Sequence, residues 1–168
     1  MLGAINNAGQ SIDVAAYSFT GKPVATALAG AKRGVAVRVV ADEKANSDRY
    51  TAVTYLINRG VPVHLNGRYA IMHNKFMVID GKNVQTGSFN YTASAVSRNA
   101  ENVLLIEDAP QLAEAYQREF NRLWDEGIAE CPVLNQPRLR TGLFLLHFQP
   151  GFASFKMQRF QHGDHVFC

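Results

Sequence analysis

The stretch that decides the fold runs from residue 73 to residue 90, HNKFMVIDGKNVQTGSFN. It sets His73, Lys75 and Asp80 at the spacing H-x-K-x4-D and follows them with Gly87, Ser88 and Asn90 as G-S-x-N. Six specified positions, each at a background of ~5%, coincide by chance on the order of once in 10^8 starting points. Within the stretch, the run from Lys75 to Ile79 is largely apolar and partly β-branched, Asp80-Gly81 interrupts it, and Asn83 to Ser88 resumes as a second extended run. Asp-Gly between two such runs is the strongest short-range hairpin signal. With Asp80 and Gly81 as the two loop residues, Ile79 pairs with Lys82, Lys75 with Thr86 and His73 with Ser88. His73 and Lys75 are two apart and point to one face. An imidazole, an ammonium and a hydroxyl are therefore expected at the open end of one hairpin, with Asn90 just beyond it.

That set suits a phosphoryl group. Lys75 offers a compact positive charge, Ser88 and Asn90 offer neutral donors, and the imidazole of His73 is a group that attacks or moves protons. A lone histidine on a strand is usually packing or surface, and it is the company of Lys75, Ser88 and Asn90 that makes His73 a catalytic candidate. Asp80 belongs to the same signature, but aspartate before glycine is also what a hairpin turn wants, so a turn or bracing role is the favoured reading for it.

With these residues in place, the chain resembles the phospholipase D superfamily, whose His-Lys-Asp signature and downstream Gly-Ser-x-Asn it reproduces without a substitution. The likeness covers roughly residues 3 to 127 and includes Tyr17-Ser18-Phe19-Thr20 and Asn99-Ala100-Glu101-Asn102. Among members it looks most like the small single-motif bacterial endonucleases related to the plasmid-encoded Nuc protein. The resemblance implies a phosphodiesterase that uses no metal and no cofactor and works through a covalent phosphohistidine. It also implies roles: His73 as nucleophile, Lys75 and Asn90 on the phosphate oxygens, Ser88 assisting, and Glu101 orienting the imidazole.

In-line displacement at phosphorus needs a nucleophile on one side and a proton donor for the departing oxygen on the other, and one imidazole cannot serve both. The chain has one copy of the motif: His64, His147, His162 and His165 all lack a lysine two residues on. The expectation is a two-fold homodimer whose two His73 side chains share one phosphate site, with Lys75 of each subunit neutralising the phosphate.

Composition narrows the rest. At 168 residues and 47% hydrophobic content the chain suits one domain with a sizeable core and is no disordered tract. The net charge of +3 looks like a nucleic-acid clue until it is located. Residues 1 to 130 carry 13 basic and 13 acidic residues, whereas residues 131 to 168 carry four and one. Any nucleic-acid surface in the core must be a local patch, and Lys32, Arg33, Arg38 and Arg68 are its candidates. The start, Met-Leu-Gly-Ala-Ile-Asn-Asn, is neither basic nor a continuous apolar run, and Thr141 to Phe155 falls short of the ~20 residues of a spanning helix. As printed, the expectation is a cytoplasmic protein with no transmembrane segment. The resemblance starts inside the first expected helix, so a periplasmic or secreted protein with a leader upstream is the alternative.

Along the chain, a short helix ending near Gly9 leads to a strand from Ile12 to Phe19, then a helix opened by Pro23 and stopped by Gly34. A strand over Val35 to Ala41, a helix over Ser47 to Arg59 and a strand over Val61 to Leu65 precede the hairpin. A strand over Asn102 to Glu107 follows, and Asp108 with Gln111 reads as a capping box for a helix to Trp124. This order predicts an α/β fold, a mixed β-sheet sandwiched between helices, over residues 1–130.

Residues 131–168 read as an atypical extension, outside the resemblance, with six of the ten phenylalanines and both cysteines, Cys131 and Cys168. Leu143 to Phe148 and Phe152 to Lys156 suggest a hairpin. The H-x2-H-x2-C ending at Cys168 has metal-ligand residue types but no fourth ligand, so no metal site is expected.

Three functions fit: an endonuclease on DNA or RNA, a phospholipase D-type hydrolase of phospholipid headgroups, and a non-catalytic binding protein of the same fold. The intact signature favours the enzymes, and the single motif in a short chain favours the nuclease.

Overall fold

A computed structural model describes residues 1–48 and 51–132. The hairpin and metal-type readings of the segment beyond 132 lie outside the described residues. Met1–Pro132 forms one compact unit.

The β-branched runs form the middle of a seven-stranded mixed sheet. Its strands are β1 (Ser11–Ala16), β2 (Ala36–Asp42), β3 (Val63–Asn66), β4 (Lys75–Ile79), β5 (Asn83–Gly87), β6 (Val103–Ile106) and β7 (Ile128–Ala129), in the order β6-β5-β4-β1-β2-β3-β7. β1, β2 and β3 are parallel, and the other neighbours are antiparallel. Helices α1 (Leu2–Asn6), α2 (Lys22–Ala31) and α3 (Ala52–Asn58) contribute Ile5, Leu28 and Leu56 to the core on one face. The short α4 (Ala93–Ser97) follows the hairpin. On the opposite face α5 (Pro110–Glu126) sets Ala113, Phe120 and Leu123 against Val40, Phe76, Val78 and Val84. Each such fully buried Phe or Leu contributes about 1.5–3 kcal/mol of transfer free energy. Strand β4 is buried along its whole length, as a run apolar on both faces requires.

Several local expectations are corrected. The hairpin register is one residue off: Ile79 pairs with Asn83 and Thr86 with Phe76, not with Lys75. Asp80 (φ 54°) and Gly81 (φ 64°) do form a tight turn closed by the Lys82 amide on the Ile79 carbonyl, but Lys82 then adds an extra residue on the β5 side. The first strand ends at Ala16, so Tyr17 to Thr20 leave the sheet as a loop. The helix expected from Ser47 starts at Ala52, where the Thr51 hydroxyl accepts the Thr54 amide. Asp108 does not cap α5; it takes φ 50°, and its amide donates to Asn83 Oδ1. α4 and β7 were not anticipated, being short and carrying little periodicity.

Candidate functional site

The parallel strands place a set of loops at their carboxyl ends, where open α/β sheets bind ligands. Tyr17 follows β1 there, Asp42 ends β2, and Lys75 opens the antiparallel β4 opposite Ala16. Two buried polar residues hold these loops. Asp42 Oδ2 accepts the Met72 amide at 2.7 Å and its Oδ1 the Ala45 amide at 2.8 Å. Asn46 donates to the carbonyls of Tyr17 and Asp42 at 2.6 and 2.8 Å and accepts the Phe19 amide. With Met72 only 2% exposed, the next residue, His73, emerges at a defined point.

His73 itself is exposed, and its ring stands edge-on to Tyr17 with centroids 4.7 Å apart. Among the described residues the imidazole has no hydrogen-bond partner. Lys75 is 8% exposed and curls back, donating from Nζ to the His73 carbonyl at 2.6 Å, with the ammonium 5.4 Å from the Tyr17 ring centroid. Burial lowers its pKa, and the nearby Glu101 carboxylate opposes that shift. Tyr17 thus touches both residues of the motif; the sequence signal for it was its place in the Tyr17-Ser18-Phe19-Thr20 stretch that carries the family likeness.

Gly87 closes β5 at φ 148°, and a Cβ there would overlap the Asn102 carbonyl oxygen, so the glycine of G-S-x-N is a steric requirement. Ser88 is then locked to the start of β6. Its amide donates to Asn102 O at 3.2 Å, its hydroxyl oxygen accepts the Asn102 amide at 3.0 Å, and its hydroxyl donates to Glu101. Glu101 also accepts from Asn99 Nδ2 at 2.9 Å. The bonds from Ser88 and Asn99, with the charge of Lys75, outweigh desolvation and hold the Glu101 carboxyl below the usual range. Glu101 therefore meets Ser88 and Asn99, and no hydrogen bond joins it to His73, where the resemblance had it orient the imidazole. Asn90 is half-buried, and its Oδ1 is fully enclosed without a partner. Its neighbour Tyr91, fully buried, accepts the Thr20 and Gly21 amides on its carbonyl and donates its hydroxyl to Gln85. An enclosed amide oxygen without a partner costs roughly 1–3 kcal/mol.

Asp80 lies elsewhere. It is five residues from Lys75 along an extended strand, roughly 16 Å at ~3.3 Å per residue, at the opposite end of β4. Its carboxylate accepts the amides of Gly9, Gln10 and Ser11 at 3.0, 2.7 and 3.0 Å, clamping the turn before β1. Partial burial pushes its pKa up, but those amides and Lys82 outweigh it, so the net shift is downward. The bracing thus contributes fully above the ordinary aspartate pKa of about 3.9 and is lost as pH falls through the lower folded value. Asp80→Asn should lose about 1–2 kcal/mol at neutral pH, and the difference from wild type should shrink on acidification, read by urea melts at several pH values. An unchanged neutral-pH midpoint would remove the bracing role.

The basic candidates separate. Arg38 pairs bidentately with buried Asp13 and lies over the Phe120 and Trp124 rings, so it is part of the α5 packing and leaves the surface patch. Arg68 sits 3.7 Å from Glu126. Lys32 donates to the Gly60 carbonyl. Arg33 remains exposed. No helix of the described residues is long and apolar enough to cross a membrane.

Residues 1–124 match the family model described as cardiolipin synthase, PLD-like domain. The chain is 42% identical over 120 residues to a phospholipase D of Rickettsia conorii, covering 70% of this chain and 60% of that one. It is 37% identical to a mitochondrial cardiolipin hydrolase of Xenopus laevis, covering 71% and 57%. The chain thus spans about three fifths of the length of these curated relatives. Among solved structures, Nuc of Salmonella typhimurium, a phospholipase D family member, superposes with a TM-score of 0.75 at 38% identity, covering 77% of this chain and 88% of that one. NucT of Helicobacter pylori gives 0.66 at 26% identity, with 77% and 87% covered. A model matching three quarters of the chain, on the same mixed sheet, makes this protein a member of the phospholipase D superfamily, close to Nuc.

Proposed function

We propose that the chain is a metal-independent phosphodiesterase, an endonuclease acting on DNA or RNA as a homodimer with a shared site. The observation that carries this is the meeting of an exposed imidazole without a protein partner, a buried ammonium and the Ser88–Glu101 pair at one end of the sheet. An Nδ1 or Nε2 lone pair of His73 attacks phosphorus. The bond to the departing oxygen breaks, and that oxygen takes its proton from the imidazolium of the partner subunit's His73. Water then attacks the phosphohistidine, giving its proton to the same partner imidazole, and the P–N bond breaks to restore His73. Lys75 and the Asn90 amide stabilise the charge gathering on the phosphoryl oxygens. Ser88 is held by Glu101 and Asn102 to support the phosphate from the β5 side. Among the described residues no three of His, Cys, Asp and Glu cluster as metal ligands, so the positive charge falls to Lys75.

The dimer is supported by the single copy of the motif per chain and by an apolar edge beside it. β6 leaves Val103, Leu104 and Leu105 exposed at 41%, 58% and 37%, directly after Glu101 and Asn102, and such an edge favours a partner. Nucleic acid as substrate is supported by the likeness to Nuc and NucT, whose chains this one spans more fully than it does the curated relatives. Phospholipid is the second reading, and the names phospholipase D and cardiolipin hydrolase among those relatives favour it.

Plasmid DNA, single-stranded DNA, RNA and phosphatidylcholine or cardiolipin vesicles, each in excess EDTA, separate these readings. Nucleic-acid cleavage that persists in EDTA is the expected result. Release of headgroup or phosphatidate alone would make the enzyme a lipase, and activity that needs added magnesium would end the metal-free mechanism.

Assembly is tested by mixing. Heterodimers of wild type and His73→Asn have one His73 imidazole, so an equal, fully exchanged mixture should keep about a quarter of the activity of wild-type chains alone, against about half for independent monomers. Activity linear in wild-type fraction, with exchange verified by mass spectrometry, would sink the shared site.

A further inference from the structure

Charge in this fold is divided between the two faces of the sheet. From Lys22 to Ala41 and from Thr51 to Ile79 the sequence contains no Asp or Glu, and these segments include α2 and α3. That layer presents Lys22, Arg33 and Arg59 as exposed cations, and none of the three forms an ion pair among the described residues. On the other face α5 carries Glu114, Glu119, Asp125 and Glu126 against Arg118 and Arg122. The even balance of residues 1 to 130 therefore conceals a layer whose exposed cations are unpaired, while those of the α5 side are matched by carboxylates.

The cationic face is also grooved. Two adjoining clefts, of about 360 and 250 Å³, share Thr26 and Tyr55 and run between α2 and α3. One opens at Thr20 and Lys22; the other reaches Arg33 and Arg59, over a floor that includes Ala25, Ala29 and Gly30. Arg59 lies 5.2 Å from the centroid of the Tyr55 ring, a flat surface beside a guanidinium. The end at Thr20 is tied to the candidate site, since the Thr20 and Gly21 amides both donate to the carbonyl of Tyr91, the residue after Asn90. From Lys22 to Ala31, two residues short of Arg33, α2 rises roughly 14 Å at ~1.5 Å per residue, over which a strand of B-form rise presents about four phosphates at ~3.4 Å each.

We propose that the α2–α3 groove is a track for the sugar-phosphate backbone of a nucleic-acid strand, leading it to the His73 end of the sheet. This rests on the nucleic-acid reading above. A groove with cations at both ends and an aromatic ring between them follows one strand, whereas a lipid surface would call for a flat or convex basic face with apolar residues to insert. The cations contact phosphates remote from the one that reacts, so they supply affinity and processing of long substrates, and the chemistry of a small diester does not use them.

The test is the reversal K22E/R33E/R59E in the full chain. In a His73→Asn background, fluorescence anisotropy with a labelled ~20-nucleotide single strand, from ~50 to ~200 mM NaCl, reads affinity and its salt slope. The reversal should weaken binding at least ~10-fold and lower the slope of log K against log salt by about 2, at ~0.7 per lost phosphate contact. With His73 intact, hydrolysis of bis(4-nitrophenyl) phosphate should be unchanged. Equal affinity and slope in the reversed protein would overturn the track and leave the nucleic-acid reading standing. Hydrolysis of the small diester by wild type, with no nucleic acid bound or cut, would end both. Reversal that abolishes binding to phosphatidylglycerol vesicles but spares the oligonucleotide would reassign the face to membranes and also overturn the track. Should the triple variant unfold by circular dichroism, the three single reversals decide: a slope unchanged in each overturns the proposal.

Discussion

His73→Asn should lower phosphodiester turnover by at least ~10^3-fold, since the covalent route disappears with the nucleophile. The fold should be indifferent to the change. His73 is exposed, donates no side-chain hydrogen bond among the described residues, and rests only against the edge of Tyr17, a contact worth about 0.5–1.5 kcal/mol. Thermal melting and turnover on the same preparation check both halves together. A folded variant that keeps a tenth of wild-type turnover would remove His73 from the nucleophile's role. Acid quenching of wild type during turnover of a labelled diester adds a chemical readout: label should be trapped on His73 and absent from the variant.

Lys75 should rank second. Its ammonium is buried beside the proposed phosphate position, where a charge acts through a lower dielectric than water provides, and losing one such donor typically costs about 10^2–10^3 in turnover. Lys75→Ala would leave a void as well as remove charge, so Lys75→Met, close in length, is the cleaner variant. It should retain or gain stability, because the burial that lowers the lysine pKa is a cost the thioether avoids. Losing the Lys75 Nζ bond to the His73 carbonyl offsets part of that gain. The decisive readout is kcat on the small diester: Lys75→Met at wild-type kcat would mean that the phosphate finds its positive charge elsewhere.

Local sequence signals were sufficient wherever a feature depends on neighbours in the chain. The apolar runs marked β1 to β4 because a buried strand needs continuous β-branched and apolar residues, and Asp80-Gly81 marked a turn because both positions take positive φ. The signature from His73 to Asn90 named the family because so many fixed types at fixed offsets do not arise by chance. The alternation of strands and helices indicated the mixed sheet between helices. Features resting on contacts distant in sequence were settled only by the tertiary structure. Whether Lys82 lies in the turn or the strand shifts every pair beyond it by one, and the partners of β5 on β4 and β6 decide that register. Arg38 looked like part of a basic patch beside Lys32 and Arg33, but side chains alternate along a strand, and β2 turns it to the α5 face, onto Asp13. Glu101 came to Ser88 because Gly87 lets β6 approach closely enough for that bond. Asp80 and Lys75, joined in one motif, stand at opposite ends of a strand, so the motif's spacing holds both a chemical centre and a remote clamp on the turn before β1. Residue types and spacing determined the family and the candidate side chains; the folding of distant segments onto one sheet end decided which of them meet there.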